Sequence, residues 1–337
     1  MSKSNRDNLP WVEKYRPTNL SEVYGQNEIV TTIRNFAEDG RIPHLLFYGP
    51  PGTGKTSTII ALAREIYGVN YKNMVLELNA SDDRGIDVVR DQIKNFASTR
   101  QIFNKGFKLI ILDEADAMTN VAQNALRRVI EKYTKNTRFC ILANYAHKIN
   151  PALLSRCTRF RFSPLKKEAI EERVDVVIKS ENLKISDDAK KSLLKLSEGD
   201  MRKALNVLQA CAASISGEPE EGEILEDEIT TDMIYECIGA PRPKSIEIVL
   251  DSIMEKDWSN AYSTMTRLRS TEGLALIDLI GGFVEILSKY DLKEETRVDI
   301  LQGLGDIEYG ISKGGSDKIQ STAIIGCIKS ALEHEVM

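Results

Sequence analysis

The segment Tyr48 to Glu65, YGPPGTGKTSTIIALARE, constrains the fold more than any other part of the chain. Gly49 to Thr56 has the spacing GxxxxGK followed by Ser or Thr, with the apolar run HLLFY before it and a helical period after it. A strand that turns through such a loop into a helix is the setting in which the spacing binds phosphate. Glycines let backbone N–H groups converge on the phosphate oxygens, and the helix N-terminus adds partial positive charge. The expected cradle is therefore Gly49, Pro50, Pro51, Gly52, Thr53, Gly54, Lys55, Thr56 and Ser57. Lys55 is placed to reach the outer phosphates and Thr56 to ligate Mg²⁺.

From Leu45 to Phe162 short apolar runs alternate with helical periods: HLLFYG, MVLELNA, FKLIILDEAD, TRFCILANY and CTRFRFSP are separated by helix-length segments. Such alternation predicts crossover units and a mostly parallel sheet in an α/β, three-layer domain. LIIL and FCILA are apolar at consecutive positions, as strands buried on both faces require. After Pro164 the strand signal stops. Lys166 to Ser180, Asp187 to Ser197 and Met201 to Ala213 carry helical periodicity, with Ser186 as a cap before Asp187 and Asp188. Ser216 to Glu228 holds seven acidic residues with Gly and Pro breaks and reads as a solvated linker. From Thr230 the period is helical again. The expected division is a nucleotide-binding domain over 1–163, a small helical lid over 164–228 and an all-α domain over 229–337.

No run of eighteen apolar residues exists and the N-terminal MSKSNRDNLP is polar, so neither a membrane span nor a secretory signal is expected. Five cysteines without a CxxC pair fit reduced thiols inside the cell, and three dispersed histidines argue against a metal cage. The net charge of −5 hides an asymmetry. Residues 1–163 carry 24 Lys and Arg against 16 Asp and Glu, leaving 21 against 34 for the remainder. A basic first half is compatible with a polyanionic partner or with ordinary variation between domains.

Three further segments carry chemistry: two strand ends and a segment at the domain rim. LIILDEAD ends in carboxylates: Asp113 is placed to hold Mg²⁺ and Glu114 to orient and deprotonate an attacking water, unless the pair merely caps the next helix. ILANY ends at Asn144, either a turn residue or a hydrogen-bonding partner of that water. LLSRCTRFRF carries Arg156, which the residues alone read as a surface ion-pair former before an arginine that reaches a neighbouring subunit's phosphate. Arg84, Arg90 and Lys94 lie on or near one helix, with Arg90 and Lys94 on the same face. They are candidates for a DNA backbone contact, or a solvated face paired with Asp87 and Asp91.

WVEKYRP (Trp11 to Pro17), YGQ (Tyr24 to Gln26), GPPGTGKT, ELNASDDRGI, LDEAD, SRC (Ser155 to Cys157) and GDMRKALN (Gly199 to Asn206) together resemble a small subunit of replication factor C, the AAA+ clamp loader. The resemblance covers essentially the whole chain. It implies an AAA+ P-loop domain, a helical lid and a helical collar for oligomerisation. It implies an ATPase using ATP and Mg²⁺, in a nuclear hetero-pentamer with other replication factor C subunits, that loads the sliding clamp PCNA onto primer–template DNA for replication and repair. It places Val12, Arg16 and Tyr24 along the adenine and ribose, Asn144 as sensor 1, Arg202 as the lid's sensor 2, and Arg156 as the finger acting on the neighbouring subunit's ATP. The alternatives are a homo-oligomeric AAA+ helicase loader or remodeller, and a scaffold that binds ATP without turnover. Glu114 weighs against the scaffold, and the lack of an NKxD motif weighs against a GTPase.

Overall fold

The computed structural model describes residues 9–80, 86–99, 106–215 and 228–336. The chain divides into two compact units, Met1–Ile229 and Thr230–Met337.

The first unit is built on five parallel strands, β1 (Leu45–Tyr48), β2 (Val75–Asn79), β3 (Lys108–Asp113), β4 (Thr137–Ala143) and β5 (Thr158–Arg161), in the order β2-β3-β4-β1-β5. Period-two alternation divides each central strand between two apolar layers. Phe47, Leu109, Ile111, Cys140 and Leu142 face a cluster with Ile33, Ile59 and Leu62 from the helices Asn27–Glu38 and Lys55–Tyr67. Leu46, Ile110, Leu112, Phe139 and Ile141 face the other, with Ile93, Leu126 and Ile130 from the helices Ile86–Ser98 and Asn120–Tyr133. Both faces of β3 and β4 are thus covered, which is why residues 109–112 and 139–143 are apolar at consecutive positions. Truncating a wholly buried Phe139 would cost about 3–5 kcal/mol.

In a parallel sheet every strand delivers its C-terminal end to one edge, where ligands of open α/β folds bind. Here that edge carries the loop after β1, Asp113 at the end of β3 and Asn144 just past β4. The helices that follow, Lys167–Ser180, Asp187–Leu196 and Met201–Ile215, belong to the same unit. Ser186 caps the second by accepting from Ala189 N. Ile229 bridges Ile185 and therefore closes this unit. Most of the acidic stretch expected as a linker, 216–227, lies outside the described residues.

The second unit shows helices Thr231–Ile238, Pro243–Glu255, Trp258–Glu272, Leu276–Leu287, Glu294–Ser312 and Asp317–Val336 around Val249, Met265, Leu279, Phe283, Ile300, Leu304 and Ile325. Pro243 opens its helix at a position where the missing N–H costs nothing, and Gly239 ends the first helix in the left-handed conformation. No described helix in either unit is long and apolar enough to cross a membrane.

Candidate functional site

The loop after β1 depends on glycines at two places where a side chain has no room. A Cβ on Gly49 (φ 142°) would lie 2.1 Å from the Phe162 carbonyl oxygen, and one on Gly52 (φ 68°) would lie 1.7 Å from Asp200 Oδ1. The loop is therefore pressed between the end of β5 and the start of the lid helix Met201–Ile215. Gly54, left-handed at φ 94°, turns the chain into the helix Lys55–Tyr67, whose first N–H groups open into a cleft.

That cleft is lined by Pro51 through Ser57, Asp113, Glu114, Asn144 and Arg202, together with Val12, Arg16 and Tyr24. These residues come from six separate sequence motifs. Gly49 and Pro50 contribute from behind: their carbonyls accept from Lys55 Nζ at 2.7 and 2.8 Å, and Asn144 Oδ1 accepts from it at 3.0 Å. Lys55 is only 8% exposed, and burial lowers its pKa to about 8 against the opposing pull of Asp113, Asp116 and Asp200. Thr56 Oγ1 donates to Asp113 Oδ2 at 2.9 Å. A hydroxyl and a carboxylate oxygen in contact form a hard-oxygen pair of the kind Mg²⁺ takes alongside phosphate oxygens.

Glu114 follows Asp113 with φ 54°, left-handed for a residue with a side chain. The strain is held by its own N–H, which donates to Asp113 Oδ1 at 2.9 Å, and by its carbonyl, which accepts from Ala117 N. The β3 exit thereby presents both carboxylates toward the cleft.

Several residues without an expected role complete the arrangement. Asp116 Oδ2 accepts from the N–H groups of Asn144 (3.3 Å) and Tyr145 (3.2 Å), fastening the end of β4 to the β3 turn. Asp200 Oδ1 accepts from Arg202 N (2.7 Å) and Lys203 N (3.2 Å), and Met201 N donates to Gly52 O at 3.2 Å, so the lid helix is capped directly against the phosphate loop. Gln26 Nε2 donates to Ser163 O at 2.8 Å. Asp116, Asp200 and Gln26 all lie inside the quoted motifs; a polar residue just before a helical run, such as Asp200, is the available signal for a cap.

Arg156 lies outside the cleft. It is partly exposed, donates to Ala152 O at 2.6 Å and pairs with Glu131. Lys94 stands 3.5 Å from Asp91, as the ion-pair reading expects, and also lines a groove with Arg127, Arg128 and Lys132. Arg84 lies outside the described residues; Arg90 is on the helix Ile86–Ser98.

Residues 45–165 match the ATPase family associated with various cellular activities (AAA), 173–213 match the RCF1/5-like AAA+ ATPase lid domain, and 241–327 match the replication factor C C-terminal domain. Replication factor C subunit 3 of Saccharomyces cerevisiae is 68% identical over 99% of this chain and 97% of its own length. The chain belongs to the replication factor C family. Subunit 3 of Schizosaccharomyces pombe (55% identity, 96% of this chain, 92% of its own) and replication factor C subunit 5 of Homo sapiens (49%, 96%, 92%) match over nearly the same span. Among solved structures, RuvB of Thermotoga maritima matches with TM-score 0.54 at 15% identity, over 77% of this chain and 86% of its own, a likeness of fold. As a replication factor C subunit the chain is an AAA ATPase with a lid and a helical C-terminal region.

Proposed function

We propose that this cleft binds ATP with Mg²⁺ and that the chain turns it over as one subunit of the replication factor C hetero-pentamer, which opens PCNA and loads it onto primer–template DNA in the nucleus. The observation that carries the reading is the convergence of Lys55, Thr56, Asp113, Glu114 and Asn144 at one sheet edge, with Arg202 on the lid side of the same cleft.

Each group has a definable task. The N–H groups at the start of the helix Lys55–Tyr67 take phosphate oxygens, and Lys55 exchanges its bond to Asn144 or a loop carbonyl for one to the outer phosphates. Asn144, freed from Lys55, turns toward the attacking water, and Glu114 accepts that water's proton. Thr56 and Asp113 would hold Mg²⁺, which when bound neutralises charge on the phosphate oxygens. Arg202 approaches from the lid. Arg156, supplied to the neighbouring subunit, leaves Glu131 to meet that subunit's ATP. Nucleotide thereby ties the subunits into an arc that grips clamp and DNA, and hydrolysis removes the tie: a population shift driven by differential affinity. The groove with Lys94, Arg127, Arg128 and Lys132 supports a sequence-independent DNA contact.

The test is single-turnover hydrolysis in a reconstituted pentamer whose other sites are silenced. Glu114→Gln should slow this site by roughly 10²–10⁴-fold while ATP still binds. Arg156→Ala, assayed with only the neighbouring site active, should slow that site by about 10³-fold or more. Unchanged rates in both would refute the assignment.

A further inference from the structure

The helix Lys167–Ser180 buries Ile170, Arg173, Val174 and Val177, the i, i+3, i+4, i+7 stripe of a helix face turned to the core. One of the four is an arginine. Arg173 is 8% exposed, and a guanidinium so buried ordinarily has a carboxylate beside it. Among the described residues it has none. Its one hydrogen bond runs from an Nη2–H to the Tyr15 carbonyl, which leaves most of its five donors without a protein acceptor. The guanidinium carbon sits 6.0 Å from the Tyr15 ring centroid and 5.7 Å from that of Tyr24, and Arg173 lines the cleft that holds the phosphate loop.

Its place in that cleft is informative. The groups suited to phosphate, Gly52 through Ser57, form one wall. Val12, Tyr15, Tyr24, Leu165 and Leu205 form an apolar and aromatic wall, with Arg16 and Glu22 also in the lining, and that wall suits the nucleoside of a nucleotide whose phosphates lie on the loop. Arg173 is the buried cation of that wall.

We propose that Arg173 donates to an acceptor atom of the bound nucleoside, a purine ring nitrogen or a ribose hydroxyl oxygen, and so determines how the nucleoside is read. The inference rests on the nucleotide reading of the cleft. Because the same side chain bonds the Tyr15 carbonyl, it also joins the N-terminal segment to a lid helix. An occupied nucleoside site then fixes both elements through one guanidinium. The desolvation cost of burying it without a counter-ion is offset by the two π-faces and by the ligand's acceptor.

The experiment measures equilibrium binding, to the reconstituted complex with its other sites silenced, of ATP and of analogues that each lack one acceptor: 1-deaza-, 3-deaza- and 7-deaza-ATP, 2′-deoxy-ATP and 3′-deoxy-ATP. On the wild type, one analogue should bind about tenfold or more weakly than ATP, the worth of a hydrogen bond to a charged donor. On Arg173→Met, which fills the same space between the tyrosines, ATP should weaken by a similar factor and that analogue should lose nothing further. Arg173→Lys keeps the charge and a donor for Tyr15; it should restore thermal stability to the wild-type value and leave ATP affinity reduced. If every analogue loses the same factor in wild type and variant, or if Arg173→Lys restores ATP affinity fully, Arg173 is only a clip between two segments. Should Arg173→Met not fold, the Lys variant with the same analogues decides the question. A wild type that binds no ATP at all would sink the nucleotide reading itself, an outcome separate from these.

Discussion

Lys55 makes nucleotide affinity depend on pH in a direction the structure fixes. In the nucleotide-free protein burial holds its pKa at about 8. A polyphosphate beside the ammonium favours the charged form and returns the pKa toward the ordinary value of about 10.4. Below pH 8 the ammonium is charged with or without ligand, and affinity is flat. As pH rises through 8 the free protein sheds a proton that the complex keeps, so binding weakens. Linkage between those two values gives about a tenfold rise in Kd from pH 7 to pH 9, or about 1.4 kcal/mol. The complex should take up about 0.5 proton at pH 8 and about 0.9 at pH 9. The phosphate's own second ionisation, near pKa 6, is already about nine-tenths complete at pH 7 and adds little across this window. Calorimetry in buffers of different ionisation enthalpy measures both the Kd and the proton count. Lys55→Arg, whose guanidinium does not titrate, should bind more weakly but with a flat profile. A wild-type Kd constant from pH 7 to pH 9, with no proton uptake, would refute the reasoning.

Other expectations follow from single contacts. Gly52→Ala forces an alanine into φ 68° and drives its Cβ onto Asp200; the strained backbone and lost cap should together cost about 2–3 kcal/mol in urea unfolding. In an Asp200→Ala background the same substitution should cost measurably less, because the two share one contact. Glu131→Gln frees Arg156 from a half-exposed ion pair; stability should change by less than about 1 kcal/mol and the neighbouring site's turnover should rise, by up to about fivefold. His44 is 7% exposed, accepts from Phe139 N on Nδ1 at 3.1 Å, and has its pKa lowered to about 4 by burial and by Arg138. The unfolded chain binds the proton first, so stability is full above pH 6.5 and falls between 6.5 and about 4, by up to about 3 kcal/mol. His44→Gln should flatten acid unfolding over that range.

The parts of the site that the sequence discloses are those where chemistry dictates residue type at a fixed local spacing. GPPGTGKT and LDEAD are legible because a phosphate cradle and a strand-end carboxylate each need their neighbours in the chain, and the apolar runs of β3 and β4 announce burial on both faces. The contacts between motifs are not legible in that way. Nothing in GDMR says that Asp200 will press against Gly52, and nothing in LDEAD says that its last carboxylate will hold the end of β4, because both depend on how the lid and the strands meet. Arg173 left a trace, a cation in the apolar stripe of its helix, but Glu171 and Glu172 before it and Asp175 after Val174 blur the period. Arg156 looked like a surface ion-pair former from its residues, and it does pair with Glu131 in the isolated chain. A role toward a neighbour belongs to the assembly, which one chain's contacts do not express.

The central claim is that nucleotide held at this edge governs a hetero-pentamer that grips a ring. Native mass spectrometry of the complex recovered with this chain from its own cells, with ATP present, tests it most directly. The account predicts five related subunits, this chain once among them, that retain a trimeric clamp with ATP and release it when Glu114 is intact and primer–template DNA is added. A closed ring of identical copies that captures no clamp would contradict it.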